Sequence, residues 1–323
     1  MKEIKTIAVL TSGGDAPGMN ACIRAITRAA IFNNMKVIAV YRGYAGLING
    51  EFEEFTSSSV SNTIQRGGTI LKTSRSQEFL DPEGRKKAYD NMVANHIDAL
   101  IVIGGNGSLT GAQLFAREYD IPVIGLPGTI DNDLAYTDFT LGFDTAVNTV
   151  LWAINSLRDT MGSHDRCAIL QVMGRHCGDI ALYAGLCGGA EYILVPEVPY
   201  DLDKIASSLR HARERGKTSN MLIFAEGAGN RDEICAYLKE KSGVHITKTI
   251  LGHIQRGGSP TMADRMLAAR MAQRAIELLK VKTKARVIGT IDNKITDVNI
   301  SEALEMPRRV DKKLYSVAEI LSL

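Results

Sequence analysis

Short aliphatic and β-branched runs alternate with stretches of helical periodicity along almost the whole chain. The runs are Thr6–Leu10, Lys36–Val40, Ala99–Ile103, Val123–Leu126, Ala168–Val172, Tyr192–Val195, Met221–Ala225, Thr249–Leu251 and Val287–Thr290. Between most of them lie helical stretches such as Gly18–Asn33, Ser108–Glu118, Thr145–Thr160, Leu202–Arg215 and Thr261–Leu279. There, apolar residues recur at the spacing that lines one face of a helix. Strands this continuously apolar have no wet face, so they belong in a parallel sheet covered on both sides. The alternation predicts a doubly wound, mostly parallel α/β fold.

In such sheets ligands bind beyond the carboxyl ends of the strands. Four strand-end loops are rich in chemistry: TSGGDAPGMN (11–20), GGNGS (104–108), PGTIDND (127–133) and GHIQRGGSP (252–260). The first and last share paired glycines and then a proline, expected at the start of a helix. Gly13-Gly14 and Gly104-Gly105 let the backbone approach a ligand and present N–H groups at a helix start, which suits phosphate. One such pair alone is equally a tight turn; several on one sheet edge favour phosphate. No Gly-Lys-Ser/Thr follows either strand, which excludes a P-loop. Gly105, Gly107 and Gly111 match the dinucleotide fingerprint poorly, which leaves a dehydrogenase reading remote.

In PGTIDND, Asp131 and Asp133 stand two residues apart beside the hydroxyl of Thr129. Neighbouring carboxylates raise each other's pKa, and one can then serve as a base. An Asx-turn is the plain alternative, but the loop's strand lies next in sequence to the GGNGS unit, which favours chemistry. Cations at strand ends are Arg75, Arg166, Arg175, His253 and Arg256. Arginine grips phosphate bidentately and neutralises charge in phosphoryl transfer. Arg24 and Arg28 share a helix face with no obvious carboxylate partner, which points to an anion. The basic run from Arg210 to Lys217 reads as the solvated end of a helix, where cations suit the dipole.

At 323 residues the chain can build two domains, with a boundary expected near 138–142. A net charge of +2 shows neither a nucleic-acid-binding face nor an acidic tail. The five cysteines are scattered without a CxxC pair, so buried free thiols in a reducing cytosol are expected. The opening MKEIKTIAVLTSGG has too short an apolar run for a signal peptide. No segment approaches the roughly eighteen apolar residues of a membrane span. A cytoplasmic protein, without membrane or nucleic-acid partners, is expected.

Taken in order, LTSGGDAPGMN, RGGT, IGG-x-GS, GLPGTIDND, MGR-x-CGD, VPE and GHIQRGGSP resemble the ATP-dependent bacterial 6-phosphofructokinases over nearly the whole chain. The resemblance implies two α/β domains in a homotetramer. Residues 1–138 with 252–304 would bind ATP, and 139–251 with 305–323 the sugar phosphate. The implied reaction moves the γ-phosphoryl group of ATP, with Mg²⁺, to the 1-hydroxyl of fructose 6-phosphate, a step of glycolysis. By resemblance, Asp131 is the general base, with Thr129, Arg175 and Asp133 around the transferring group. Gly14, Tyr44, Arg75, Ser76, Gly105, Asn106, Gly107, Ser108 and Gly111 fall on the nucleotide side. Met173, Gly174, Glu226, Thr247, His253 and Arg256 fall on the fructose 6-phosphate side, joined by Arg166 from a neighbouring subunit. Arg24, Arg28, Arg158, Gly189, Glu191, Arg215 and Lys217 fall on an effector site for ADP or phosphoenolpyruvate. Gly107 and Gly128 match ATP users; the pyrophosphate-dependent branch has Asp and Lys there.

Three positions depart from the pattern. Asn106 replaces an aspartate that ligates Mg²⁺; its side chain offers the metal a neutral carbonyl oxygen, and the charge is left to Asp131 or Asp133. Thr247 replaces a second cross-subunit arginine, and Ser57 replaces an effector-site arginine. Lys248 is a poor stand-in for Thr247, because a one-residue slip in a strand turns the side chain to the opposite face. The departures keep two other readings open: a catalytically weakened or regulatory sugar-phosphate-binding paralogue, and a kinase for another sugar phosphate.

Overall fold

All nine apolar runs form strands in the computed structural model, which describes residues 3–163, 166–217, 219–281, 283–308 and 310–322. From the amino end come β1 (Thr6–Ser12), α1 (Met19–Phe32), β2 (Lys36–Val40), α2 (Gly43–Asn49), β3 (Phe52–Phe55), α3 (Pro82–Ala94), β4 (Ala99–Gly104), α4 (Asn106–Glu118), β5 (Val123–Pro127) and α5 (Phe143–Gly162). There follow β6 (Cys167–Val172), α6 (Asp179–Cys187), β7 (Tyr192–Leu194), α7 (Leu202–Glu214), β8 (Asn220–Ala225), α8 (Arg231–Ser242) and β9 (Ile246–Ile250). The chain ends with α9 (Met262–Lys280), β10 (Arg286–Ile291), β11 (Lys294–Asn299), α10 (Ile300–Glu305) and α11 (Lys312–Leu321). They divide into two compact units: Met1–Ile130 with Leu134–Thr145 and Arg256–Arg308, and Asp131–Asp133 with Ala146–Gln255 and Arg309–Leu323.

The first unit is built on a seven-stranded sheet in the order β11-β10-β5-β4-β1-β2-β3. Its five inner strands are parallel. The edge strands β3 and β11 run antiparallel to their neighbours. Neither edge strand, FEEF or KITDVN, was marked by an apolar run. Each is paired on one side only and keeps a polar face, so the continuous pattern of a covered parallel strand never develops. β1 is buried at every position, and Leu10, Leu100, Val102, Leu109 and Phe115 form the centre of the core. β1 pairs with β2 on one side and β4 on the other, so the winding reverses between β1 and β4. That reversal is where doubly wound sheets open a ligand crevice. The register sets Ser12 opposite Gly104, and Gly104 opposite Pro127. The loops after β1, β4 and β5 therefore leave the sheet side by side.

The second unit has four parallel strands in the order β7-β8-β6-β9. Cys167, Ile169, Leu222 and Phe224 pack with Leu209 of α7 and Leu238 of α8. Val172 lies opposite Ala225, and Gln171 opposite Ile250, so the loops after β6, β8 and β9 also emerge together.

Two local expectations shift. α4 begins at Asn106, not Ser108, which puts Asn106 in the first turn. Pro17 and Pro260 stand just ahead of the N-caps Gly18 and Thr261 and not inside the helices. At α9 the capping position needs an acceptor, which Thr261 supplies to the Asp264 N–H and proline lacks. No helix of the described residues is long and apolar enough to cross a membrane. All five cysteines are free and four are buried; burial pushes the Cys167 thiol up to about 12.

Candidate functional site

In the first unit, two strand ends touch where the winding reverses. Gly13 has φ +86°, a left-handed conformation that glycine adopts without strain. A Cβ on Gly104 would lie 2.6 Å from both Ser108 Oγ and Ser12 O, so this crossing admits no side chain. Gly105 then caps α4, whose first turn is Asn106, Gly107 and Ser108 with no acidic residue. N–H groups at a helix start lack intrahelical acceptors and sit at the positive end of the dipole. Here the Ser108 N–H turns to Gly105 O at 3.0 Å. Asn106 and Gly107 are exposed. A Cβ on Gly107 would meet nothing within 4 Å, so protein packing does not require glycine there. Exposed amides at a glycine-rich helix start are an arrangement that can cradle an anion.

Some of its supports are residues to which the sequence assigned no role, and Asn20 is the chief of them. Asn20, 1% exposed, donates to Arg66 O at 3.1 Å and Gly67 O at 3.0 Å and accepts the Ile70 N–H at 2.7 Å. One side chain thus satisfies the RGGT turn. Thr11 bonds Thr69 and Lys72 O, and Thr73 donates to Gly13 O at 2.6 Å, which ties residues 69–73 to the first loop. Arg75 beyond them is exposed, and Ser76 accepts the Phe79 N–H. Tyr44 is buried, stacked on Phe79 at 3.9 Å, and its hydroxyl donates to Ser108 O at 2.6 Å. It braces the cradle from behind, against Gly111. The Arg256 guanidinium packs on Gly14, where a Cβ would overlap it.

The PGTIDND loop spans the two units. Thr129 lies beside Gly105, whose Cβ would be 3.5 Å from Thr129 Cβ, and Thr140 donates to Thr129 O at 2.6 Å. Asn132 belongs to the second unit, with φ 52° and 1% exposure. It donates to Asp179 Oδ2 at 2.9 Å. This buried anchor fixes the loop and leaves Asp131 and Asp133 half-buried on either side. The motif had drawn attention to its carboxylates, and the residue between them holds it.

In the second unit the loops after β6, β8 and β9 meet. Gly174 has φ +131° and packs on the Cys177 carbonyl. Gly227 lies against the Arg175 backbone and donates to Gly174 O at 3.0 Å, which brings half-buried Glu226 beside Met173, Gly174 and exposed Arg175. Fully buried Gln255 accepts the Met173 N–H at 3.2 Å and donates to Gly252 O at 3.0 Å, so exposed His253 joins the group. Arg166 precedes β6 at the opposite end of the strand. Thr247, opposite Ala168 in the register, turns its hydroxyl to Cys167 O at 3.4 Å. Lys248 is held by Asp232 at 2.7 Å. The Asp232 carboxyl is lowered to about 2 by hydrogen bonds from Arg231 and then Lys248.

Of the residues expected to bind an effector, Arg158 donates to Gly188 O and Gly189 O. Glu191 pairs with Lys217 at 3.0 Å and accepts the Met221 N–H. Arg215 and Lys217 border a cavity of about 540 Å³ that also reaches Tyr192, Tyr200 and Lys204. In the first unit, neither Arg24 nor Arg28 makes an ion pair with a described residue, and Ser57 is exposed. Among the described residues, Cys177, Asp179 and Glu197 are close enough for a metal. Asp179 already binds Asn132, and Glu197 accepts the Gly178 N–H, so both carboxylates serve the loops.

A family model described as Phosphofructokinase matches residues 6–279. The chain is 54% identical to the ATP-dependent 6-phosphofructokinase of Clostridium botulinum over 319 residues, covering 99% of this chain and all of that protein. The enzyme of the same name from Clostridium tetani matches at the same identity and coverage. Among solved structures, the phosphofructokinase of Saccharomyces cerevisiae superposes with a TM-score of 0.90 at 35% identity. The match covers 98% of this chain and 48% of the yeast chain, so this chain spans about half the yeast protein's length.

Proposed function

The chain belongs to the phosphofructokinase family, and we propose that it transfers the γ-phosphoryl group of ATP to the 1-hydroxyl of fructose 6-phosphate. The product is fructose 1,6-bisphosphate, and the step belongs to glycolysis. The observation that carries this reading is the 54% identity to ATP-dependent 6-phosphofructokinases along 99% of the chain. The open space at Gly107 supports ATP as the donor, because no packing constraint accounts for that glycine.

In this reading ATP lies along the first unit's cradle, its phosphates on the α4 amides, with Gly14, Arg75 and Ser76 alongside. Tyr44 and Gly111 serve it from beneath. Fructose 6-phosphate takes Met173, Gly174, Glu226, His253 and the cations Arg166, Arg175 and Arg256. Asp131 accepts the hydroxyl proton, while Thr129 and Arg175 steady the moving phosphoryl group, with Asp133 beside them. Mg²⁺ prefers oxygen ligands and keeps several waters and phosphates; the Asn106 carbonyl and the Asp131 carboxylate are oxygen donors of that kind. Bound, it neutralises charge on the phosphates. We also propose a cytoplasmic homotetramer. Arg24, Arg28, Arg158, Gly189, Glu191, Arg215 and Lys217 would bind ADP or phosphoenolpyruvate.

A second reading, a regulatory sugar-phosphate-binding relative, draws on Thr247 and Lys248, neither of which presents a free cation. A coupled ADP-release assay over several sugar phosphates separates the two. The kinase reading expects turnover with fructose 6-phosphate and ATP. Folded protein that binds sugar phosphate yet releases no ADP with any of them would establish the regulatory one.

A further inference from the structure

Asp264, in the first turn of α9, is 1% exposed. Its Oδ1 accepts the Gly142 N–H at 2.8 Å, and its Oδ2 accepts the Thr145 N–H at 2.9 Å and the Thr145 hydroxyl at 2.5 Å. The contact is reciprocal. The Thr261 hydroxyl donates to Asp144 Oδ2 at 2.5 Å, and the Thr261 N–H donates to Thr145 Oγ1 at 3.0 Å. One carboxylate therefore sits at the starts of both α5 and α9, where the helix dipoles favour negative charge. Burial pushes the Asp264 carboxyl above its usual range, against the Thr145 and Gly142 hydrogen bonds that pull it down. A group buried at this cost while satisfying three donors has a job that an apolar residue could not do.

The segment it holds leads to the reacting loop. Leu141 N–H donates to Pro127 O at 2.8 Å, and Leu141 bridges Gly128. The Thr140 hydroxyl donates to Thr129 O at 2.6 Å. The same segment backs the first loop, since a Cβ on Gly142 would lie 2.7 Å from Ala16 Cβ. All of these residues lie in one unit.

We propose that Asp264 is a positioning residue for phosphoryl transfer. It sets residues 140–145, which hold the backbone of Thr129 and so aim its hydroxyl. The inference rests on Thr129 contacting the transferring group. A residue that merely holds two helices together would alter stability and leave kcat intact.

The test combines kinetics with amide exchange. Asp264→Asn keeps the size and removes the charge; it should lower kcat roughly tenfold to a hundredfold, with KM for ATP and fructose 6-phosphate within about threefold. Asp264→Glu, which restores the carboxylate, should recover part of that loss. Added to Thr129→Ala, Asp264→Asn should change kcat by less than about twofold, because both act through one contact. In the free protein, Asp264→Asn should speed exchange of the 128–130 amides by about tenfold or more. Additive kinetic effects, or kcat and exchange both unchanged, would overturn the proposal. If Asp264→Asn fails to fold, Thr140→Val removes only the hydroxyl on Thr129 O. An unchanged kcat there would also overturn it. A parent chain without turnover counts against the kinase reading, and the exchange result then decides the positioning claim alone.

Discussion

Replacing Asn106 with aspartate separates what this position does for folding from what it does for chemistry. Asn106 is the first residue of α4, exposed, in a turn with no acidic residue and a glycine cap that offers no side-chain acceptor. A carboxylate at an exposed helix start is worth about 0.3–1 kcal/mol. Asn106→Asp should therefore hold or slightly raise stability in urea unfolding without nucleotide. The effect on catalysis should be far larger. One preorganised charge at a phosphoryl-transfer site is worth about 10²–10³-fold, or roughly 3–4 kcal/mol, so kcat should rise by up to that factor. The Mg²⁺ concentration for half-maximal rate should fall. The assay is kcat against Mg²⁺ at saturating ATP and fructose 6-phosphate, parent beside variant. A variant that is more stable yet has the parent's kcat and metal dependence would refute the reasoning, because the helix-end charge would be present and the metal indifferent to it.

Other consequences follow from named contacts. Asn20→Ala strands two carbonyls and one N–H of the RGGT turn; at about 1–3 kcal/mol per buried unsatisfied group, urea unfolding should show a loss of roughly 3 kcal/mol or more. A loss under about 1 kcal/mol would show that water replaces the side chain. Thr247→Arg should lower KM for fructose 6-phosphate roughly tenfold, the worth of about one charge-assisted hydrogen bond; an unchanged KM would place the sugar phosphate elsewhere. Asp297 is partly desolvated, which raises its carboxyl, yet hydrogen bonds from Arg274 and Arg286 hold it below 3.8. Its stabilisation is therefore complete above pH 3.8 and lost as pH falls through the lower folded value. Asp297→Asn should flatten that acid limb of the unfolding curve, and an unaltered limb would assign it to other carboxylates.

Much of this was legible because parallel strands covered on both sides write themselves as unbroken apolar runs. Lys36–Val40 is such a strand, with its boundaries intact. β3 and β11 escaped because an antiparallel edge strand keeps a polar face. Glycine pairs and the two aspartates of PGTIDND stood out as chemistry at strand ends. The residues that hold those loops did not. Asn20, Asn132, Gln255 and Asp264 are polar residues inside motifs or helices, and only their near-complete burial marks them as supports. Burial depends on which distant segments arrive beside them: Asn20 meets Arg66 and Gly67, and Asp264 meets Gly142. No periodicity records that. The register of Thr247 and Lys248 likewise needed the strand pairing, which gives Lys248 to Asp232.

The central claim is that Asp131, on the loop anchored by Asn132, accepts the proton of the sugar hydroxyl. Asp131→Asn keeps the shape and removes the base. Its kcat should fall about 10²–10⁴-fold, while calorimetric titration gives a fructose 6-phosphate affinity within a few-fold of the parent's. A variant that keeps most of the parent's kcat would contradict the claim.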